Sequence, residues 1–447
     1  MQIRRWLSLF GLLSLWAVCL SCGQNYRLPI IQIPGDPGDP KLYHFAITIS
    51  TTDPITNPTI PGTVMQVDVV GDMDVGEALI GRGPIYATLL PTGSANRIYV
   101  ANAREDTVTT TTAAPLSCSP GPVCPIGAVA TITMPAGAAP SFLNSTEASN
   151  MYVILKNPSR LPPGPQTPTI GVIPVFSPAL GSEIALPIGN PVAMVELPNG
   201  RKLYVLDQAN SVVYVINTVS KQIVQTLAVG TSPTMALASA DSSAVYVMTN
   251  SGVSVIDALT DIVIGGSLST GGQPNFIAYD FQLRLYVTDT GGGLGVYDAA
   301  VAAGNLPNQL VLKPAGTFPG VLGVAPLPDG SRFYVLTNPS GTSLELTDVS
   351  KTFAVKSPSI SLDTMNPNGT PVPPVLNTCS SVGVHRYMAG ASADSGRVYV
   401  TSCDAGGTYI VRTSDDTGVL MLPSPGQPPF TSTPIIRQNP VFLITGR

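Results

Sequence analysis

The chain has few charged residues. They make up 11% of its 447 residues, and the 22 Lys and Arg against 27 Asp and Glu leave a net charge of −5, where ~25% charged is usual. No cluster of basic residues is present to neutralise a phosphate backbone, so nucleic acid is not an expected partner. The 44% hydrophobic content and the mean hydropathy of +0.28 exclude the composition typical of disordered chains.

Histidine and tryptophan are also scarce. The two histidines are His44 and His385, and the two tryptophans, Trp6 and Trp16, both lie near the start of the chain. Two histidines so far apart cannot build a multi-histidine metal cluster, and the HExxH, GxSxG, SxxK and P-loop motifs are absent. The sequence therefore predicts no catalytic residue, no metal ligand and no cofactor.

Two weaker candidates receive structural interpretations. The acidic stretch Asp72–Asp74 with Glu77 lacks the third aspartate and the glycine of a calcium loop, so we expect a charged hairpin there. His385, beside Arg386 and Tyr387, begins an expected strand, where a hydrogen-bonded structural histidine is favoured over a catalytic one.

The N-terminus has the features of a targeting segment. Residues 1–21 combine an arginine pair with a short apolar stretch, the pattern of a bacterial signal peptide. The sequence around Cys22 resembles a lipoprotein cleavage box, although Cys19 stands where leucine is usual. We therefore predict an acylated Cys22 followed by a Pro/Gly-rich tether over residues 22–40, which can form neither a helix nor a central strand.

This N-terminus predicts a lipid-anchored protein of the cell envelope, attached to a membrane through its lipid. The outer membrane is favoured over other periplasmic faces because Gly23 stands where many inner-membrane lipoproteins have aspartate. The alternative is ordinary secretory cleavage without lipid, which gives a secreted protein.

Cysteine usage fits an oxidising compartment. With Cys19 removed and Cys22 acylated, an even number of cysteines remains. The simplest of three pairings is local and joins Cys118 to Cys124 and Cys379 to Cys403. The alternative of a four-cysteine zinc site requires CxxC pairs that the sequence lacks.

A repeat runs through the rest of the chain. A tight-turn signal precedes each Tyr-Val pair, and an alternating strand that ends in Asp or Asn follows it, then a third short strand and a Gly/Pro turn. The shortest spacings, 42 and 40 residues, separate the fourth unit from its two neighbours in the series. The seven anchor tyrosines are Tyr99, Tyr152, Tyr204, Tyr246, Tyr286, Tyr334 and Tyr399.

Four short antiparallel strands in each unit of ~45 residues predict an all-β fold, a β-propeller of four-stranded blades, as one domain over residues 41–447. The Tyr-Val segments are expected to be the inner strands. A further unit within residues 43–80 would be completed by the C-terminal run Val441–Ile444, which closes the ring and gives eight blades. Seven blades are the alternative count, and a sandwich array, a solenoid and an outer-membrane barrel are the alternative folds.

The signature Tyr-Val-x-Asn/Asp resembles the YVTN-repeat family of bacterial periplasmic and surface β-propellers. It stands at Tyr99–Asn102 and Tyr286–Asp289, with variants at Tyr246–Asn250 and Tyr399–Ser402. The resemblance extends over roughly residues 60 to 410 and implies an architecture rather than an activity.

Function is expected in long loops. Three irregular stretches, Thr107–Gly127, Lys156–Thr169 and Lys351–Val384, are interpreted as tolerated insertions, with a partner-binding rim as the functional alternative. The sequence thus favours a membrane-anchored extracytoplasmic module that binds a protein or glycan without catalysis. The alternative is a metal-dependent, lactonase-like hydrolase with a site in the central channel.

Overall fold

The structure is a computed structural model. It describes residues 45–52, 59–68, 72–92, 95–113, 129–146, 149–160, 164, 167–177, 179–280, 282–299, 304–341, 343–362, 386–425 and 438–445. The described residues do not include the predicted signal peptide, the tether or six residues singled out in the sequence. The predictions made for them therefore stay predictions. These six residues are His44, His385, Cys22, Cys118, Cys124 and Cys379.

The described residues form eight four-stranded antiparallel sheets and contain no helix that could span a membrane. The strands are β1 (Phe45–Thr51), β2 (Thr63–Asp68), β3 (Met73–Leu79), β4 (Pro84–Thr92), β5 (Ala95–Asn102), β6 (Thr107–Thr112), β7 (Ala130–Thr133), β8 (Pro140–Asn144), β9 (Asn150–Leu155), β10 (Thr169–Pro174), β11 (Ser182–Ala185), β12 (Pro191–Glu196), β13 (Lys202–Asp207), β14 (Val212–Asn217), β15 (Gln222–Ala228), β16 (Met235–Ala238), β17 (Ala244–Thr249), β18 (Gly252–Asp257), β19 (Ile262–Val263), β20 (Pro274–Tyr279), β21 (Arg284–Asp289), β22 (Leu294–Asp298), β23 (Asn308–Lys313), β24 (Val321–Pro326), β25 (Arg332–Thr337), β26 (Glu345–Ser350), β27 (Ile360–Ser361), β28 (Tyr387–Ala391), β29 (Arg397–Ser402), β30 (Gly407–Arg412), β31 (Thr417–Pro423) and β32 (Asn439–Thr445).

The eight sheets are the blades of a closed β-propeller, as predicted. Blades II to VIII each use four consecutive strands, which begin at β4, β8, β12, β16, β20, β24 and β28. The first strand of each blade contacts the first strand of the next, and this series of contacts returns through β32 to β4. These first strands therefore surround the axis, and the fourth strands form the outer edge.

Blade I contains both ends of the described chain. Its order from the axis outward is β32, β1, β2, β3, so the C-terminal strand is the innermost strand of the N-terminal blade. In this pairing Ile47 lies opposite Ile444, and Ile49 lies opposite Phe442. The predictions of eight blades and of closure by the C-terminal strand are confirmed, because seven units continue along the chain and the eighth needs strands from both ends.

The expectation that the Tyr-Val segments are inner strands is wrong. They are the second strands of their blades, one position away from the axis. The physical reason is burial. The second strand has paired neighbours on both edges and a blade on each face, so it collects the largest apolar side chains, and all seven anchor tyrosines are at most 2% exposed. The first strand has one edge turned to the channel.

The apolar core lies between blades rather than inside one of them. One cluster, for example, joins Tyr204 and Val213 of blade IV to Val245 and Ile256 of blade V. A single sheet cannot cover both of its apolar faces, so each blade depends on its two neighbours. Outer strands are correspondingly exposed, as in β15.

The two ends of the ring follow from the strand directions. We call the end where second strands finish and first strands begin the mouth, and the opposite end the base. Turns between the third and fourth strands therefore lie at the base.

At the base, side chains at the start of a second strand contact the next blade's turn between its third and fourth strands. Lys202 Nζ lies 2.7 Å from Asp261 Oδ2. Arg397 makes two bonds of 2.8 Å to the Asp72 carboxylate and so joins blade VIII to blade I. Asp261 and Asp72 have positive φ angles of 54° and 50°, which aspartate tolerates better than most residues. We call these contacts the base clamps.

Candidate functional site at the mouth of the ring

The residue that follows each second strand lies at the mouth. In blades II to VIII it stands four residues after the anchor tyrosine, and in blade I it follows β1. Because the ring repeats this position eight times around the axis, it lines the mouth with whatever side chains the sequence places there. The eight residues are Thr52, Ala103, Lys156, Gln208, Asn250, Thr290, Asn338 and Cys403.

The Asn or Asp that precedes this position is structural where its contacts are described. Asp207 Oδ1 accepts hydrogen bonds from the backbone N–H groups of Asn190, Ala209 and Asn210 at 3.0, 3.0 and 3.2 Å. Asp289 Oδ1 does the same for Gly291 and Gly293. The signature carboxylate thus ties the turn after the second strand into place, and in blade IV it also holds the loop that enters the first strand. Asp207 Oδ2 is also engaged, by Asn210 Nδ2 and Tyr214 Oη, whereas Asp289 Oδ2 is buried without a hydrogen-bond partner among the described residues.

Four amide side chains occupy the blade junctions on one side of the mouth, and we call them the amide arc. They are Asn190, Gln208, Asn250 and Gln273. Asn190 Nδ2 donates to Gln208 Oε1 at 3.2 Å, and Gln273 Nε2 donates to Asn250 Oδ1 at 3.1 Å. Asn250 and Gln273 are exposed. The arc runs from the junction of blades III and IV to the junction of blades V and VI.

Lys156 lies at the blade III end of this arc. Its ammonium donates to Asn190 Oδ1 over a long 3.4 Å, and within the described part of the chain no carboxylate lies within ion-pair distance of it. Burial lowers the pKa of the Lys156 ammonium below its usual range, since half-burial removes water that would stabilise the charge.

Two other groups of charged side chains at the mouth are paired. Arg386 and Tyr387 both donate to Asp404 Oδ2, the former at 2.6 Å, and the Arg82 and Glu105 side chains lie 3.8 Å apart. These pairs lie on blades VIII and II, away from the amide arc. Their charges are compensated within the protein.

A shallow cleft of about 450 Å³ lies between blades II and III at the mouth. Asp106, at its edge, accepts bonds of 2.7 Å from the N–H groups of Gly137 and Ala139. Arg160 makes two hydrogen bonds, of 2.6 and 2.9 Å, to Glu183. Both charged groups at the cleft, Asp106 and Arg160, are therefore engaged in hydrogen bonds within the protein.

The anchor tyrosines whose hydroxyl contacts are described here have a structural role. Tyr204 Oη donates to Asp261 Oδ1 at 2.7 Å and Tyr334 Oη donates to Asp416 Oδ1 at 2.6 Å, both at the base. Burial, together with the hydrogen bond to Asp261, raises the pKa of the Tyr204 hydroxyl well above its usual range. These tyrosines therefore keep their protons and join neighbouring blades.

The acidic stretch of blade I divides between two roles. Asp72 belongs to a base clamp, and Asp74 Oδ1 accepts from the N–H of Gly76 at 2.9 Å. Burial and a hydrogen bond with Asp74 raise the pKa of Glu77 to about 7. Within the described ranges, no group of three or more His, Cys, Asp or Glu side chains could hold a metal ion.

The described parts of the three stretches considered for a rim do not all form loops at one end of the ring. Thr107–Thr112 forms β6 rather than a loop, and the chain after it connects to β7 at the base. Lys156–Thr169 lies at the mouth. Part of Lys351–Val384 forms β27, and the chain between β27 and β28 begins and ends at the mouth. Cys403 is buried there, and Asn439 Nδ2 donates to its carbonyl oxygen at 2.8 Å.

Comparisons with known proteins support the fold. No protein-family model matches the chain, and no curated protein sequence matches it. A solved structure of dihydro-heme d1 dehydrogenase NirN in complex with DHE is similar, with a TM-score of 0.60 and 13% identity over 94% of this chain and 79% of that one. At this identity the likeness shows the fold alone.

Two further solved structures match less well. Hydrazine synthase of Kuenenia stuttgartiensis gives a TM-score of 0.47 and 15% identity, over 74% of this chain and 96% of that one. The Dos1 propeller gives a TM-score of 0.46 and 11% identity, over 65% of this chain and 74% of that one.

The sequence analysis missed the amide arc and Lys156. A signal for them was present, because aligning the repeats on the anchor tyrosine places Lys156, Gln208 and Asn250 at the same offset of four residues. The offset indicates a shared site only once the strand order shows that these residues lie at the mouth.

Proposed function

We propose that the protein is a non-enzymatic binding module whose ligand is a glycan, bound at the amide arc. The observation that carries the proposal is the pair of exposed, uncharged amides Asn250 and Gln273 at the junction of blades V and VI, with the half-buried amides Asn190 and Gln208 at the same end of the ring. An amide both donates and accepts hydrogen bonds, and so do sugar hydroxyls. Among the described contacts, Asn250 Nδ2 and Gln273 Oε1 make no hydrogen bond, so both remain available to a ligand.

The other polar groups at the mouth hold loops in place through hydrogen bonds, and this also supports binding rather than catalysis. The carboxylates at the mouth, such as Asp207 and Asp106, accept several backbone hydrogen bonds each. A general base needs an oxygen within reach of the proton it removes, and these oxygens already hold the loops. The alternative of a metal-dependent hydrolase finds no supporting group among the described residues.

The test of this function is a binding screen. The purified full chain is applied to an array of neutral and acidic oligosaccharides, and the affinity for each ligand found is measured by calorimetry. We expect the double variant Asn250→Ala, Gln273→Ala to bind at least about tenfold more weakly, since each lost hydrogen bond contributes roughly 0.5–1.5 kcal/mol.

Gln309→Ala is the matched control, because Gln309 is an exposed amide on β23 at the outer edge. It should bind like the wild type. Binding that the arc variant leaves unchanged, or an array without any ligand, would overturn the proposal. Capture of a protein partner that depends on the same two residues would replace the glycan by a protein.

We propose further that the module is lipid-anchored in the cell envelope through Cys22 and contains the disulfides Cys118–Cys124 and Cys379–Cys403. The signal-like N-terminus, the lipoprotein-like box and the even number of remaining cysteines support this proposal. Labelling with an alkyne fatty acid should mark the wild type and spare Cys22→Ser, and mass spectrometry of the unreduced protein should recover both cross-linked peptides. A labelled Cys22→Ser variant or free thiols would contradict it.

A further inference from the structure

Several partly buried basic side chains of this protein are neutralised by carboxylates. Arg160 Nη1 lies 2.6 Å from Glu183, Lys202 Nζ lies 2.7 Å from Asp261, and Arg397 Nε lies 2.8 Å from Asp72. Arg332 also lies 2.9 Å from Asp348. In each case the cost of removing a cation from water is offset by an anion of the same chain.

Lys156 has no carboxylate partner among the described residues. Arg97 and Lys221 also bond to neutral acceptors, Val175 O and Ser182 Oγ at 3.0 Å, but they lie at the base, whereas Lys156 lies at the mouth beside the amide arc. Its described hydrogen bond is to a neutral acceptor, Asn190 Oδ1, at 3.4 Å. Asn190 in turn donates to Gln208, so the ammonium stands at the start of a chain of amides that crosses the junction of blades III and IV. Since no anion of the described residues pairs with this half-buried ammonium, two of its three N–H donors are left to solvent or to a ligand.

From this placement we propose that Lys156 binds the carboxylate of an acidic sugar, such as a uronic acid residue, while the amide arc binds the hydroxyls of the same glycan. This inference rests on the proposed function, because it names the class of glycan that the arc takes. A carboxylate fits better than a phosphate dianion, since the site offers a single positive charge and no arginine fork.

A ligand carboxylate would compensate the Lys156 ammonium for the hydration that it has lost in the folded protein. The protein has already removed part of the water around the ammonium, so a carboxylate that arrives there restores a charge partner and loses little more hydration. Charge-assisted hydrogen bonds of this kind are stronger than those between neutral groups. A neutral ester at the same place gives the ammonium only a weak acceptor.

The experiment compares paired probes that differ in the carboxylate alone. Oligomers of galacturonic, glucuronic and mannuronic acid are measured by calorimetry beside their methyl esters, with the full chain as wild type, Lys156→Met and Lys351→Met. Lys351 is an exposed lysine at the base, so its variant carries the same change in net charge. Circular dichroism and melting curves confirm that each variant is folded.

We expect the wild type and Lys351→Met to bind at least one acid roughly 10- to 100-fold more tightly than its ester. Lys156→Met should lose this preference and keep the affinity for the ester. Equal binding of acid and ester by the wild type, or an acid preference that survives in Lys156→Met, overturns this inference and leaves the glycan proposal standing. If the wild type binds no acid or ester but binds neutral glycans of the array, the inference alone fails. If it binds no glycan at all, both proposals fail.

Discussion

The base and the mouth of the ring are built from the same repeat, but the polar side chains of the base clamps and of the amide arc are used differently. At the base, charged groups reach into the next blade and are paired, as in Lys202–Asp261 and Arg397–Asp72. At the mouth, Lys156 and the amide arc lie at the same kind of junction with hydrogen-bonding atoms to spare. The comparison indicates that the base clamps hold neighbouring blades together, and it supports the proposal that the mouth is a recognition surface.

The largest expected effect comes from removing the strand on which both ends depend. Deleting 439–447 takes away β32, whose Val441, Phe442 and Leu443 are at most 7% exposed. Each such side chain contributes about 1.5–3 kcal/mol by burial, and the loss also leaves the inner edge of β1 unpaired. Because the sum approaches the whole stability of an ordinary domain, we expect no cooperative thermal unfolding transition.

Deleting residues 446–447 alone is the control for this truncation, since β32 ends at Thr445. It should melt like the full chain. If the longer deletion also melted at the wild-type temperature, closure by β32 would not be needed to hold the ring.

A clamp at the base should give the next largest effect. Arg397→Met leaves the Asp72 carboxylate, 8% exposed, without its partner between blades VIII and I. We expect a loss of about 2–4 kcal/mol in the free energy of unfolding by denaturant.

Arg412→Met tests whether burial causes that loss, because Arg412 pairs with Asp415 on the same blade at 3.3 Å with both side chains over 40% exposed. Its effect should stay near 0.5 kcal/mol. Equal effects for the two variants would remove the distinction between clamped and exposed charges.

The same kind of substitution at the mouth should act with the opposite sign. Lys156→Met removes an uncompensated ammonium, so we expect a small gain of stability at neutral pH, on the order of 0.5 kcal/mol. In the wild type the folded state binds the Lys156 proton more weakly than the unfolded state, because the pKa in the folded state is lowered.

The stability of the wild type should therefore rise as the pH increases from that lowered pKa towards the ordinary value of 10.5. Lys156→Met should lack this rise relative to Lys351→Met in denaturant titrations across alkaline pH. A loss of stability in Lys156→Met at neutral pH would mean that the lysine belongs to the scaffold.

The smallest effect on stability should come from the amide arc. Asn250 and Gln273 are exposed and form a hydrogen bond with each other. Replacing both by alanine should therefore change the free energy of unfolding by less than about 0.5 kcal/mol. A large destabilisation would mean that the amide arc stabilises the fold, as the base clamps do, rather than serving as a binding surface.

Much of the architecture could be predicted from the repeat. The recurring Tyr-Val pair, the turn before it and the Asp or Asn after it specify four strands per unit, and Val441–Ile444 correctly indicated the closing strand. The position of the pair within the blade was not predictable, because the second strand and the first strand are both apolar and short. Their difference is whether one edge faces the channel, which depends on neighbours in space.

The candidate site was less accessible to sequence reasoning. The length of an irregular stretch was a poor indicator of a site. Thr107–Thr112 forms strand β6, which ends at the base, where β7 begins. Lys156 and Gln208 look like ordinary polar residues in the sequence, since nothing local distinguishes a paired lysine from an unpaired one. Arg397 and Asp72 likewise lie 325 positions apart.

The amino-acid sequence by itself determined the strands, their number and the way in which the chain closes on itself, because alternation, turn residues and repetition are local properties. Only the tertiary structure decided which strand faces the axis and which end of the ring carries compensated charge. Those outcomes depend on contacts between blades, where distant residues such as Lys156 and Asn190 become neighbours and where burial sets the cost of every charge.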